Sequence, residues 1–196
     1  MRMSGVGDFI YNIFGDYGDV GVLLGVFLIF LIDALIFPAL PEVFFILGYD
    51  YCPTFDHGLL LILMAVIAEL VGIFTLYYVV KHIKVPAKIE RIVDKYTDFL
   101  FVSDEKIFLV NRVAPMIPFA GAFIAIVDRW DPKKCAFYIV IGCILKYGAI
   151  LMATSFFYDF FGGDTALKVT IVFIIAVIAL SFVASYFKKK KAGLDN

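Results

Sequence analysis

FPALPEVFF, residues 37–45, stands in the middle of an apolar block that runs from Val20 to about residue 52. It sets two helix breakers, Pro38 and Pro41, three positions apart and puts a carboxylate, Glu42, directly behind them. Proline removes a backbone donor and clashes with the preceding helical turn. A second block, IFLVNRVAPMIPFAGAFIAIVD at residues 107–128, carries Pro115 and Pro118, again three apart. Pro115 comes only eight residues after Ile107, so neither arm of that block has the roughly 20 residues that a membrane crossing needs. The block reads as a re-entrant hairpin, entering and leaving on one side, with its break held against protein or a wet cavity rather than lipid.

The surroundings agree with a bilayer. Of the 196 residues, 63% are hydrophobic and 18% charged, with a mean hydropathy of +0.96, against about 45–50% and about 25% in soluble domains. Residues 58–80 hold one charge, Glu69, in 23 positions; residues 135–158 hold one, Lys146, in 24; residues 166–187 hold one, Lys168, in 22. Each is long enough to span. The expected fold is an all-α membrane protein forming a single transmembrane domain. The opening residues 1–19 lack an uninterrupted apolar core before a small-residue cleavage site, so no cleaved signal is expected. Residues 20–37 fit either a hairpin arm or a full span.

The two proline pairs are related by a constant offset. Pro38 and Pro41 fall on Pro115 and Pro118 at 77 residues, and the same offset carries Glu69 onto Lys146. Each unit, residues 30–80 and 107–158, is thus a hairpin followed by one crossing helix. A hairpin keeps its side and a single span changes it, so the second unit is inverted relative to the first, the plan of many secondary transporters. The helix of 166–187 is additional. Threading the chain back from the tail Lys188–Lys191 places 13 lysines and arginines on one face and none in residues 50–57 or 159–165. The positive-inside rule makes that face, and the C-terminus, cytoplasmic. The linker 81–106 spaces Ile89, Ile92, Val93 and Tyr96 at helical intervals among mixed charges and reads as an amphipathic helix at the cytoplasmic interface.

FLID followed by FPALPEVFFILGY, then LYYVVKH, FLVNRVAPMIPFAGAFIAI and ILKYGA, resembles the DedA family of membrane proteins, also called SNARE-associated or VTT-domain proteins. The resemblance covers about residues 27–157 and implies two opposed re-entrant hairpins in a multi-pass protein of the cell membrane. It also implies movement of a phosphate-bearing lipid across the bilayer, a phospholipid or polyprenyl phosphate, in the manner of a flippase or scramblase and coupled to protons. By position, Asp33 resembles the family's acidic residue ahead of the first tip, Glu42 the acid after its proline, and Arg112 the arginine ahead of the second tip. The family's second arginine falls on Pro118, and Lys146 is the cation available to replace it.

Charges at mid-membrane cost roughly 2.5–3.5 kcal/mol each on insertion scales, so they are paired or functional. A guanidinium fork suits phosphate oxygens, which makes Arg112, with Lys146, the expected substrate-binding pair. Asp33, Glu42 and Glu69 are the expected proton-coupling carboxylates. The competing readings are structural: a buried Glu69–Lys146 pair, an Arg112 that snorkels to the surface, and acids that bond opened backbone. An alternative cargo on the same fold is a small ion or drug carried with protons. The two histidines, His57 and His82, lie apart near helix ends, no metal-ligand spacing occurs, and no nucleophile–base motif is present. Neither an enzyme, a cofactor, a metal nor a nucleic-acid partner is expected; self-association is left open. Cys52, Cys135 and Cys143 read as structural.

Overall fold

Two long apolar helices form the frame. The computed structural model describes residues 18–36, 40–99, 104–113, 117, 119–161 and 163–191, all helices and connections among the described residues. Helix α1 is Gly18–Leu35, α2 Pro41–Tyr51, α3 Phe55–His82, α4 Ala87–Phe99, α5 Ile107–Val113, α6 Ala120–Ile126, α7 Pro132–Phe161 and α8 Gly163–Lys191. At 1.5 Å per residue the 28 residues of α3 and the 30 of α7 are about 42 and 45 Å long. Among the described residues α1, α3 and α7 are long and apolar enough to cross a membrane, and the described stretch Thr165–Val177 of α8 is a shorter apolar helix. The seven residues each of α5 and α6 reach only about 10 Å. The two arms of the second break are therefore too short to cross, as their sequence predicts, whereas α1 is not.

Two apolar cores are stacked along the frame. The first joins Val26 and Phe30 of α1, Phe45 and Ile46 of α2, Leu61 and Ala65 of α3, Tyr147 and Leu151 of α7, and Leu167 and Ile174 of α8. The second joins Ile73 and Tyr77 of α3, Phe108 of α5, Ile117, Ile124 of α6, and Cys135 and Ile139 of α7. The early half of α3 thus meets the late half of α7, and the late half meets the early half: the two helices are antiparallel. The first proline block belongs to one end of the frame and the second to the other.

Small residues set the closest approaches. A Cβ on Gly72 of α3 would lie 2.6 Å from Ala34 Cβ of α1, and one on Gly121 of α6 would lie 2.1 Å from the Ile73 carbonyl oxygen of α3. Such contacts let helices meet backbone to backbone, as membrane helices do in the absence of a hydrophobic drive between them. Thr54 caps α3 by accepting from the His57 amide at 3.3 Å. Helix α4 leans on the bundle through Val93, while Ile89 and Ile92 are exposed beside Lys88 and Arg91. The linker is thus helical over its middle, Ala87–Phe99.

Each break ends on the same backbone device. Leu40 and Phe119, the residues preceding α2 and α6, both adopt the left-handed conformation (φ 51°) and both are about half exposed. For a bulky L-residue this costs roughly 1–2 kcal/mol, a strain that persists only where the surroundings impose it. Leu40 precedes Pro41, but Phe119 follows Pro118, so the two breaks run two residues out of step with the proline offset. Pro38, Pro115 and Pro118 lie outside the described residues. Pro41 opens α2 at its first turn, where its missing N–H is not needed.

Candidate functional site

The boundary between the two cores is polar. On α3 it falls after Ala68, the middle of that helix, and on α7 between Ile139 and Cys143. Glu69 of α3 sits at it and Lys146 of α7 lies one turn past it, but they do not pair with each other. Glu69 takes an ion pair from the Arg112 guanidinium of α5, with side-chain exposures of 7% and 13%. Lys146 pairs with Glu42 of α2, at 24% and 9%. The pairing is crossed: each acid comes from the first half of the chain and each base from the second, and each pair joins a short helix of one half to the long helix of the other. Four charges cancel within one buried zone.

Local structure explains why these residue types stand where they do. Glu42 lies in the first turn of α2, where the exposed amides and the helix dipole favour an anion; Arg112 lies in the last turn of α5, where a cation is favoured. Gly142 makes room for the arginine: a Cβ there would come within 2.7 Å of Arg112 Cγ. Arg112 is thus turned inward to mid-height instead of snorkelling to the surface, and Glu42, which has no base near it in sequence, finds one 104 residues away in Lys146.

Tyr147 backs the Lys146 end of the second pair. It is 1% exposed, with ring centroids 5.0 Å from Phe30 and 5.2 Å from Phe45, and the Lys146 ammonium lies 5.4 Å from its ring centre, within cation–π range. The Glu69–Arg112 contact is end-on, through Nη1 and Oε1. Glu69 Oε2 and Arg112 Nε, both sealed from solvent, have no hydrogen-bond partner among the described residues.

Asp33 occupies the last turn of α1, half-buried; the two ion pairs are made by the other four residues. Asn111, which carries no weight in the sequence reading, closes the second break: its Oδ1 accepts from the Ile117 amide at 2.7 Å and its Nδ2 donates to the Ile117 carbonyl at 3.4 Å. A side-chain amide here serves a peptide group that the prolines leave without a helical partner. The signal available in sequence was a lone amide six residues ahead of a break. At the far end of α2, Tyr49 bonds Ser155 at 2.9 Å, Asp50 accepts from Tyr158, and Gly48 O lies 3.2 Å from His57 Nε2, fixing that arm to α7 and α3. Among the described residues no group of three or more His, Cys, Asp or Glu could hold a metal ion. Searches of known protein families, curated proteins and solved structures find no match to this chain.

Proposed function

We propose that the chain is a multi-pass cell-membrane transporter that moves a phosphate-bearing lipid between leaflets, coupled to protons, with its C-terminus cytoplasmic. Its working parts in this reading are two re-entrant hairpins, α1–α2 and α5–α6, inserted from opposite faces as an inverted repeat. The observation that carries the reading is the crossed pair of buried ion pairs at the junction of the two cores. A buried ion pair is weak evidence for stability, since apolar replacements are often as good or better; two of them on short broken arms make better sense as groups that change partners.

Arg112 and Lys146 are the groups that receive an anionic headgroup, the guanidinium with a planar fork for phosphate oxygens and the ammonium as a point charge. A phosphate that takes either cation leaves Glu69 or Glu42 without its counter-charge. Burial favours the neutral form of such a carboxylate, so it takes up a proton. One anion in and one proton in keep the zone neutral, which couples the two fluxes. Asp33, one turn before the first break, is the third carboxylate of the relay. The DedA resemblance supplies the lipid cargo, and the amphipathic α4, with Ile89 and Ile92 beside Lys88 and Arg91, suits an anionic cytoplasmic leaflet.

The test is reconstitution into liposomes with acyl-labelled fluorescent lipids, following their transfer between leaflets with and without a pH gradient. Transfer that rises with the gradient and is lost in correctly folded Arg112→Ala and Glu42→Gln variants is expected. Equal transfer by parent and variants refutes the mechanism.

A further inference from the structure

Helix α4 overhangs the bundle. Val93 and Thr97, one turn apart on one face, are 7% and 0% exposed, and Val93 shares a core with Phe108 of α5 and Ile124 of α6. Ile89 lies one further turn back on that face, yet it is 45% exposed, and Ile92 is 58% exposed. The face that meets protein at Val93 therefore meets something else at Ile89. Helix α3, long and apolar enough to span, ends at His82, and only residues 83–86 separate it from α4. Four residues reach at most about 14 Å, which sets the overhang at the level of lipid headgroups. Its charge suits that place. Residues 81–93 hold four lysines and arginines against one acid, and residues 94–106 hold two against four, so the overhanging half is the basic half. Lys88 and Arg91, both exposed, line an open hollow of about 320 Å³ with Ala87 and Ile92. Cations beside isoleucines on such a turn fit an anionic leaflet, the apolar groups entering below the headgroups and the cations meeting phosphates.

The packed end of α4 gives that contact a consequence. Thr97 Oγ1 accepts from Arg129 Nη2 at 3.1 Å, and Arg129 stands three residues after α6, which bears on α3 at Gly121. Helix α5, packed in the same core as Val93, carries Arg112 in its last turn. We infer that α4 is a regulatory arm: anionic headgroups hold its first two turns on the leaflet, and Val93 with the Thr97–Arg129 bond passes that hold to the second break. A seated arm keeps α5 and α6 placed for Arg112 to reach mid-height. The effect on lipid transfer rests on the transporter reading; the binding of anionic lipid does not. A basic side chain near an anionic surface gains roughly fivefold in affinity, so Lys88 and Arg91 together contribute about 25-fold, which salt screens away.

The experiment uses the full chain in liposomes of phosphatidylcholine alone, or of phosphatidylcholine and phosphatidylglycerol in equal parts. With Cys52, Cys135 and Cys143 replaced by alanine, Ile92→Cys carries an environment-sensitive fluorophore. In the anionic membrane its emission should shift to the blue at about 0.05 M salt and return at about 1 M. Amide exchange across α6 in the unlabelled parent should be at least about fivefold slower there, and transfer of a trace labelled phospholipid faster by a similar factor. Lys88→Glu with Arg91→Glu should abolish all three responses, and Lys88→Arg with Arg91→Lys should keep them, since surface attraction needs charge and not a fork. Thr97→Val should keep the blue shift and lose the slowed exchange. A fluorophore indifferent to lipid charge in the parent overturns the inference and assigns the overhang to solvent or another protein. A blue shift with unchanged exchange in α6 overturns the regulatory arm and leaves a plain anchor. If the shift and the slowed exchange both appear while no lipid crosses either membrane, the transporter reading falls and the arm stands.

Discussion

Replacing Lys146 with methionine removes the cation that Glu42 faces from the first turn of α2, and the cost can be worked from the burial of both groups. The Glu42 side chain is 9% exposed and that of Lys146 24%. Stripping one partner from a buried pair costs about 3–5 kcal/mol; the partial exposure of Lys146 puts this pair at the lower end, about 3 kcal/mol, close to the penalty for a lone charge at mid-bilayer. In a chain of this size that lowers the unfolding midpoint by roughly 6–12 °C. Glu42→Gln strands the ammonium instead and should cost about 2 kcal/mol, because Lys146 keeps some solvent. The double variant strands neither charge and should lie within about 1 kcal/mol of the parent, giving a coupling energy of about 4 kcal/mol or more. Fluorescence of the single tryptophan, Trp130, buried against Phe108 at 5.3 Å between ring centres, reports the transition in detergent. The double variant, stable again, should nonetheless lose lipid transfer. Additive destabilisation would refute the pairing, and a stable double variant with normal transfer would reduce the pair to packing.

Asn111→Ala removes both bonds to Ile117 and should cost about 1–3 kcal/mol, with amide exchange at Ile117, buried in the parent, accelerating before global unfolding. Gly121→Ala drives a Cβ into the Ile73 carbonyl of α3 at 2.1 Å and should destabilise by about 1–3 kcal/mol or prevent folding. Gly142→Ala crowds the flexible Arg112 Cγ, at 2.7 Å, and meets Arg112 Cβ and Leu109 Cδ1 at ordinary contact distance; it should cost under about 1 kcal/mol yet slow lipid transfer, read by the liposome assay. Asp104, exposed ahead of α5, is held below the usual carboxylate range chiefly by its hydrogen bond with the Lys106 ammonium. A depressed folded value means the contact stabilises above the unfolded value and fades as pH falls through about 4. Asp104→Asn should therefore lower the melting temperature slightly at pH 7, less in high salt, and match the parent in stronger acid.

Much of the frame is legible because the bilayer imposes few rules and strict ones: apolar runs of spanning length became α3 and α7, and the prolines mark where helices stop. The mid-helix charges Glu69 and Lys146 also announce the site, since an ion at that depth needs a reason. Their partners were not legible. The 77-residue offset relates Glu69 to Lys146 and invites a pair between them, but that offset reports equivalence of position, not contact. Contact is decided by which short helix lies against which long helix, and that arrangement crosses the pairs. Leu40 and Phe119 escape notice because left-handed backbone is expected of glycine or asparagine, and here packing holds two bulky residues in it. The first break is the less regular one: the helix leading into it, the 18 residues of α1, is as long as a span, whereas α5 has seven, even though α2 and α6 begin alike.

Chemical cross-linking in native membranes tests the crossed pairing directly. With Cys52, Cys135 and Cys143 replaced by alanine, Glu69→Cys with Arg112→Cys should be bridged by a short bismaleimide, giving a covalent link between α3 and α5 seen after cleavage of the intervening chain. Tyr49→Cys with Ser155→Cys, whose parent side chains bond at 2.9 Å between α2 and α7, serves as the positive control. Efficient closure at 69 and 112 is the predicted result; closure of the control alone would show that Arg112 does not reach the middle of α3 and would contradict the site as described.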